Sequence, residues 1–135
     1  MRFAEIGDLT GEKAWPLKLV DRGYDVWMAS NRGTAPYSDK YKYDGPTEED
    51  KQRRWDFSLA EMGKYDQPAF FDKVIEVTGQ PKVTYIGYSQ GTAQMFYALG
   101  TQDYLNDKIQ SLVLLAPCLY GSRPGLTYES NVAMF

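Results

Sequence analysis

Lys82-Val83-Thr84-Tyr85-Ile86-Gly87-Tyr88-Ser89-Gln90-Gly91-Thr92-Ala93-Gln94 decides how the rest of this chain is read. A β-branched, aromatic run over Val83–Tyr88 predicts a strand, and the residues from Gln90 onward predict a helix. Between them stands Gly-x-Ser-x-Gly, the pattern of a nucleophile elbow, in which a sharp strand-to-helix turn lifts a serine hydroxyl above the sheet edge. Gly87 and Gly91 suit such a turn because strand and helix approach too closely for Cβ atoms. Ser89 is then the candidate nucleophile. The Gln90 N–H, at the helix N-terminus, is the candidate donor to a developing oxyanion. A plainer reading stays open: a Ser/Gly turn in any parallel α/β protein, with Ser89 serving as helix N-cap.

The chain contains no histidine. A serine hydroxyl at its free pKa is a poor nucleophile and needs an adjacent base. In the Ser-His-Asp arrangement an imidazole takes the serine proton and later returns it to the leaving group. The motif therefore names a chemistry while the composition withholds the residue that runs it. With one cysteine and no histidine, a zinc site is not expected, and no cofactor is implied. Cys118 follows the apolar run Leu112–Ala116 and reads as a small buried hydrophobe at a strand end. The 18 acidic and 15 basic side chains leave a net charge of −3, which gives no electrostatic reason to expect nucleic acid as a partner. No apolar run reaches the length of a membrane span. Met1–Asp8 lacks the apolar core of a signal peptide.

At 135 residues the chain is expected to form a single domain. Glu12–Arg22 reads as a short helix with Pro16 in its first turn, closed by Gly23. Tyr24–Ala29 predicts a buried strand, and Asn31–Pro36 a turn leading into a Tyr-, Lys- and Asp-rich loop. Lys51–Phe57 predicts a short helix. Met62–Thr78 predicts an amphipathic helix ended by Gly79 and Pro81, and Gln90–Leu99 one stopped by Gly100. Ile109–Ala116 is a nearly continuous apolar run of the kind found in parallel strands covered on both faces. Three recognisable strands alternating with helices predict an α/β fold with an open, mostly parallel sheet and crossover helices. The tail over 120–135 carries no periodicity.

Several segments are more specific than the serine motif. Gly23-Tyr24-Asp25-Val26-Trp27, Asn31-Arg32-Gly33, Trp55-Asp56-Phe57-Ser58, Glu61-Met62-Gly63-Lys64-Tyr65-Asp66-Gln67-Pro68-Ala69 and Gly87-Tyr88-Ser89-Gln90-Gly91-Thr92 occur in order. Together they resemble the acid lipase family, which includes lysosomal acid lipase and gastric lipase. The resemblance runs from Gly23 to Pro117 and implies a partial α/β-hydrolase. Its intact form would hydrolyse neutral lipid esters, triacylglycerol or steryl ester, by acyl transfer. The family nucleophile falls on Ser89 and one oxyanion amide on Gln90. A secreted or lysosomal address is likewise implied by the family alone. The departures are informative. The family's His-Gly strand end should precede the Glu12 helix, and Met1–Thr10 shows no such motif. Its catalytic Asp and His would follow Ile109–Ala116 at a distance this chain does not reach. Position 88, often His in the family, is Tyr.

Two consequences are expected. Without the strand that carries the His-Gly motif, Tyr24–Ala29 and Val83–Tyr88 lose their shared neighbour, leaving unpaired backbone and an apolar edge. The 135 residues alone should turn over little ester, so an inactive lipase-derived fragment or lipid-binding module is the alternative to an esterase. Nothing in the sequence sets an oligomeric state. Elsewhere, Tyr24, Trp27 and Tyr85 read as sheet-covering aromatics. Asp25 is expected to be solvated or paired with an arginine. Arg32 should bond loop carbonyls or a carboxylate such as Asp56 or Glu61. Asp103 and Asp107 read as surface charges.

Overall fold

Val83–Tyr88 (β1) and Ile109–Leu115 (β2) pair in parallel, Tyr85 beside Leu112 and Gly87 beside Leu114. The computed structural model describes residues 14–34 and 45–118. Within them the order is α1 (Trp15–Asp21), α2 (Glu48–Trp55), α3 (Leu59–Glu61), a π turn (Met62–Asp66), α4 (Gln67–Thr78), β1, α5 (Gln90–Thr101), a 3-10 segment (Asp103–Lys108) and β2. Parallel strands need a crossover connection, which α5 and the 3-10 segment supply. The register slips once, between Val83 and Thr84, so that Val83 pairs with Ile109 and Thr84 with Ser111.

Helix boundaries follow local chemistry. Pro16 sits in the first turn of α1, and past its end Gly23 adopts φ 85°, letting the Gly23 and Tyr24 amides bond the Val20 and Leu19 carbonyls. Reciprocal Thr47–Asp50 and Ser58–Glu61 hydrogen bonds cap α2 and α3. The hydrogen bonds that the Ser58 side chain and backbone donate hold the Glu61 carboxyl below the usual carboxylate range, and Thr47 does the same for Asp50. Gly79 closes α4 at φ 69°.

The core lies on one face of the strand pair. Phe71, Met95, Ala98 and Leu105 are buried there, with Val83, Tyr85, Leu99, Ile109 and Leu112 packed around them. The Phe71 and Tyr85 rings stack with centroids 6.0 Å apart. On the opposite face the Thr84 and Ser111 hydroxyls meet across the strands at 2.9 Å, while Val113 and Leu115 stay exposed. The apolar β2 run is thus covered on one face, not both, among the described residues.

The third expected strand does not form. Residues 24–30 carry no regular element, and the sheet among the described residues has two strands. Tyr24 is 63% and Met28 72% exposed. The reason lies in the backbone: an extended segment becomes a strand only beside a neighbour that takes its N–H and C=O groups. Other boundaries shift modestly. The Lys51–Phe57 helix starts at Glu48 and ends at Trp55. The Met62–Thr78 helix divides into the π turn and α4, preceded by α3. Gly100 does not stop α5, which runs on to Thr101. A Cβ at Gly100 would meet no atom within 4 Å, so no close packing marks the position as a break. Met1–Thr10, the start at Glu12, the loop over 35–44 and the tail over 120–135 lie outside the described residues.

Candidate functional site

At the carboxyl end of β1 the chain turns through Ser89 at φ 49°, ψ −114°, a left-handed conformation that non-glycine residues rarely adopt. Such strain persists only where the surroundings over-determine it. Here the Ser89 amide bonds the Leu115 carbonyl at 2.9 Å, which carries the ladder one residue past β1. The Ser89 carbonyl accepts from the Thr92 amide at 2.9 Å and from the Thr92 hydroxyl at 2.6 Å. The Ser89 hydroxyl makes no capping hydrogen bond to α5. That disposes of the N-cap reading, since a capping serine has extended backbone and spends its oxygen on the first-turn amides.

Both motif glycines sit in close quarters, Gly87 the more tightly, and neither has positive φ. A Cβ on Gly87 would stand 2.7 Å from the Tyr85 ring and 3.3 Å from the backbone of Gly91 and Thr92. One on Gly91 would lie 3.3 Å from the Tyr85 hydroxyl. That hydroxyl donates to the Gly91 carbonyl at 2.9 Å, pinning the first turn of α5 to the strand. Burial pushes the Tyr85 phenol up to about 12, with a hydrogen bond from Gln67 acting in the opposite direction. Tyr85 is thus a core aromatic, as its position suggested. Gln90 opens α5, so its backbone amide has no carbonyl one turn back within the helix to donate to.

Cys118 corrects an expectation. It is half-buried, with its Sγ 3.9 Å from the Ser89 Oγ. Its amide bonds the Thr92 hydroxyl at 2.9 Å. Two residues earlier Ala116 takes φ 49° and kinks the chain leaving β2 back toward the elbow. Sequence reading missed both Cys118 and Thr92 as neighbours of Ser89. The signal was present in the parallel pairing, because the carboxyl ends of adjacent parallel strands share one rim, where α/β proteins build their sites.

A second cluster braces the helical layer. The Arg32 guanidinium contacts Asp66 Oδ1 at 2.8 and 2.7 Å through two of its nitrogens, and the Arg32 amide donates to Oδ2 at 3.0 Å. The carboxylate bonded here is Asp66, while the Arg32 charge also helps to lower the Glu61 carboxyl. Arg32 also stands over the Phe57 and Tyr65 rings, at 5.9 and 5.4 Å from their centroids. Gly33, at φ 75°, lies so close to Trp55 and Phe57 that a Cβ would sit 2.8 Å from each ring. Asp25 accepts from the Trp27 indole at 3.0 Å, and no arginine is needed to explain it. Beneath the elbow helix, Gln67 donates to Gln94 at 2.7 Å and Gln94 to the Met62 sulfur at 3.0 Å, with both glutamines buried. No group of metal-ligating side chains occurs among the described residues, and none of their helices is long and apolar enough to cross a membrane.

Comparison with known proteins agrees with this geometry. Residues 12–133 match the alpha/beta hydrolase fold family. The chain is 45% identical over 101 residues to a probable lipase of Schizosaccharomyces pombe, a match covering 75% of this chain and 21% of that protein. It is 44% identical over 99 residues to the gastric triacylglycerol lipase of Mus musculus, covering 73% and 24% respectively. It is 42% identical over 99 residues to lipase member M of Homo sapiens, covering 73% and 22%. The chain thus spans about a quarter of the length of the curated relatives it matches. A strand, a strained serine turn and a helix on a parallel pair, read together with these matches, make this chain a member of the alpha/beta hydrolase fold family, similar within it to lipases.

Proposed function

We propose that this chain carries the nucleophile segment of a serine ester hydrolase acting on neutral lipid esters, triacylglycerol or steryl ester. Ser89 attacks the acyl carbonyl, and the Gln90 amide donates to the oxyanion that forms. The proton leaving Ser89 needs a base, and the chain contains no histidine. An imidazole must therefore reach Ser89 from outside these residues in the intact form, oriented there by a carboxylate. The observation that carries the reading is the Ser89 backbone at φ 49°, ψ −114°, with its hydroxyl left out of helix capping. The names of the relatives support the lipid ester as substrate class.

The test is the mass of the endogenous species that reacts with a fluorophosphonate probe at the Ser89 peptide. A labelled species near 40 kDa or above, roughly the size at which a single large domain could hold the whole site, would place these residues inside an active hydrolase. An unlabelled species at 15.4 kDa and nothing larger would make Ser89 a relic of the fold. The histidine-free composition also supports a second reading, a lipid-binding module without turnover. It requires that the purified chain bind a lipid ester while showing no p-nitrophenyl ester hydrolysis that vanishes in Ser89→Ala.

A further inference from the structure

We propose that the Thr92 hydroxyl is the positioning device of the candidate oxyanion donor, coupling the elbow to the segment that leaves β2. The proposal rests on the reading of Ser89 as nucleophile. The Ser89 carbonyl and the Gln90 N–H belong to one planar peptide unit and point in opposite directions. Whatever fixes the carbonyl fixes the aim of the amide. Two bonds, both from Thr92, hold that carbonyl toward the body of α5. The Gln90 N–H is thereby turned outward, to the side on which a carbonyl substrate of Ser89 would sit.

A threonine in a helix commonly bonds a carbonyl one turn back, and this alone would be unremarkable. The second bond singles Thr92 out. Its side chain is fully buried, and while its proton goes to the Ser89 carbonyl its lone pair accepts the Cys118 amide, 26 residues away. One hydroxyl thus stands between the two strained non-glycine residues of the described chain, Ser89 and Ala116, both at φ 49°. Relaxation of the turn at Ala116 would withdraw the Cys118 amide and slacken the Ser89–Gln90 peptide with it. The mouth of the site is set by the exit of β2 as well as by the elbow itself.

Thr92→Val keeps the branched shape and removes the hydroxyl, whereas Thr92→Ser keeps the hydroxyl. In the intact form that supplies the base to Ser89, each is compared with wild type and with Ser89→Ala by fluorophosphonate labelling over a range of probe concentrations. Amide hydrogen exchange is followed in the same samples. Thr92→Val is expected to lower the maximal labelling rate about tenfold, the effect of one lost hydrogen bond on a barrier, with half-saturating probe concentration unchanged. It should also speed exchange at the Cys118 amide about tenfold. Thr92→Ser should restore both. Wild-type labelling with Thr92→Val equally fast overturns the proposal and leaves the nucleophile reading standing. Thr92→Ser as slow as Thr92→Val also overturns it, since packing would then be the cause. A wild-type intact form labelled no faster than Ser89→Ala defeats the nucleophile reading and the proposal together.

Discussion

Two apolar runs of nearly equal length meet different fates in this molecule. Val83–Tyr88 pairs with β2, packs its Val83 and Tyr85 side chains on a buried cluster and ends in the strained serine turn. Residues 24–30 have the same strand-like composition yet form no element, and Trp27 is 43% exposed. Propensity is common to both. What differs among the described residues is a neighbour, because β preference measures fit to a partnered surface more than an intrinsic habit of the backbone.

That contrast is sharpened first in the core. Met95 is fully buried among Phe71, Ala98 and Leu105, so Met95→Ala should cost about 3 kcal/mol in urea unfolding followed by circular dichroism. Met28→Ala, at a side chain already in water, should stay within about 0.5 kcal/mol. Comparable losses at the two sites would mean that residues 24–30 bury apolar surface after all. Second comes the link between the regions. Asp66→Ala leaves the Arg32 guanidinium and amide without this acceptor and should cost about 2 kcal/mol. It should also speed proteolysis around Arg22 and Arg32 more than around Lys82. Uniform susceptibility along the chain would show that Arg32 does not anchor the N-terminal segment.

Third is an alkaline effect confined to the strand pair and its core. The Tyr85 phenol is raised to about 12 in the fold, against about 10 in the unfolded chain. A raised acid holds its proton longer when folded, so its contribution is complete below pH 10 and disappears as pH climbs toward 12. Wild type should therefore lose roughly 2 kcal/mol more than Tyr85→Phe across that window, and parallel pH curves would count against burial of the hydroxyl. A smaller effect is expected at Gly79, where φ is 69° but nothing lies within 4 Å of a Cβ. Gly79→Ala should cost about 1 kcal/mol from backbone strain alone. Gly87→Ala should cost more, since the Tyr85 ring and the backbone of Gly91 and Thr92 would have to move.

The strand ends and the elbow were legible because local pattern and tertiary role coincide there. β1 falls on the predicted residues, and β2 ends one residue early, at the Ala116 kink. The α3 start was legible too, in the Ser58–Glu61 pair at capping-box spacing, but reading Met62 as the helix start passed over it. Other features had no local signature. The partner of Arg32 lies 34 residues away, and the acidic residues nearer to it in the resemblance motifs offered equally good chemistry. Cys118 became a neighbour of Ser89 only once the two strands were paired and the chain after β2 had turned back. The elbow was readable as a motif; its supports come from non-local contacts.

The π turn at Met62–Asp66 bears on length as well as shape. A single wide turn is an α-helix holding one residue too many. Losing one residue there would close the turn to ordinary α geometry while α3 and α4 kept their phase. Phe71 would still face Met95, but Gly63 would no longer lie against Tyr97 and Gln94, nor Asp66 against Arg32. Between kindred chains, a one-residue gap at this point would thus loosen the brace of the N-terminal segment and the Gly63 contact with α5 while sparing the core.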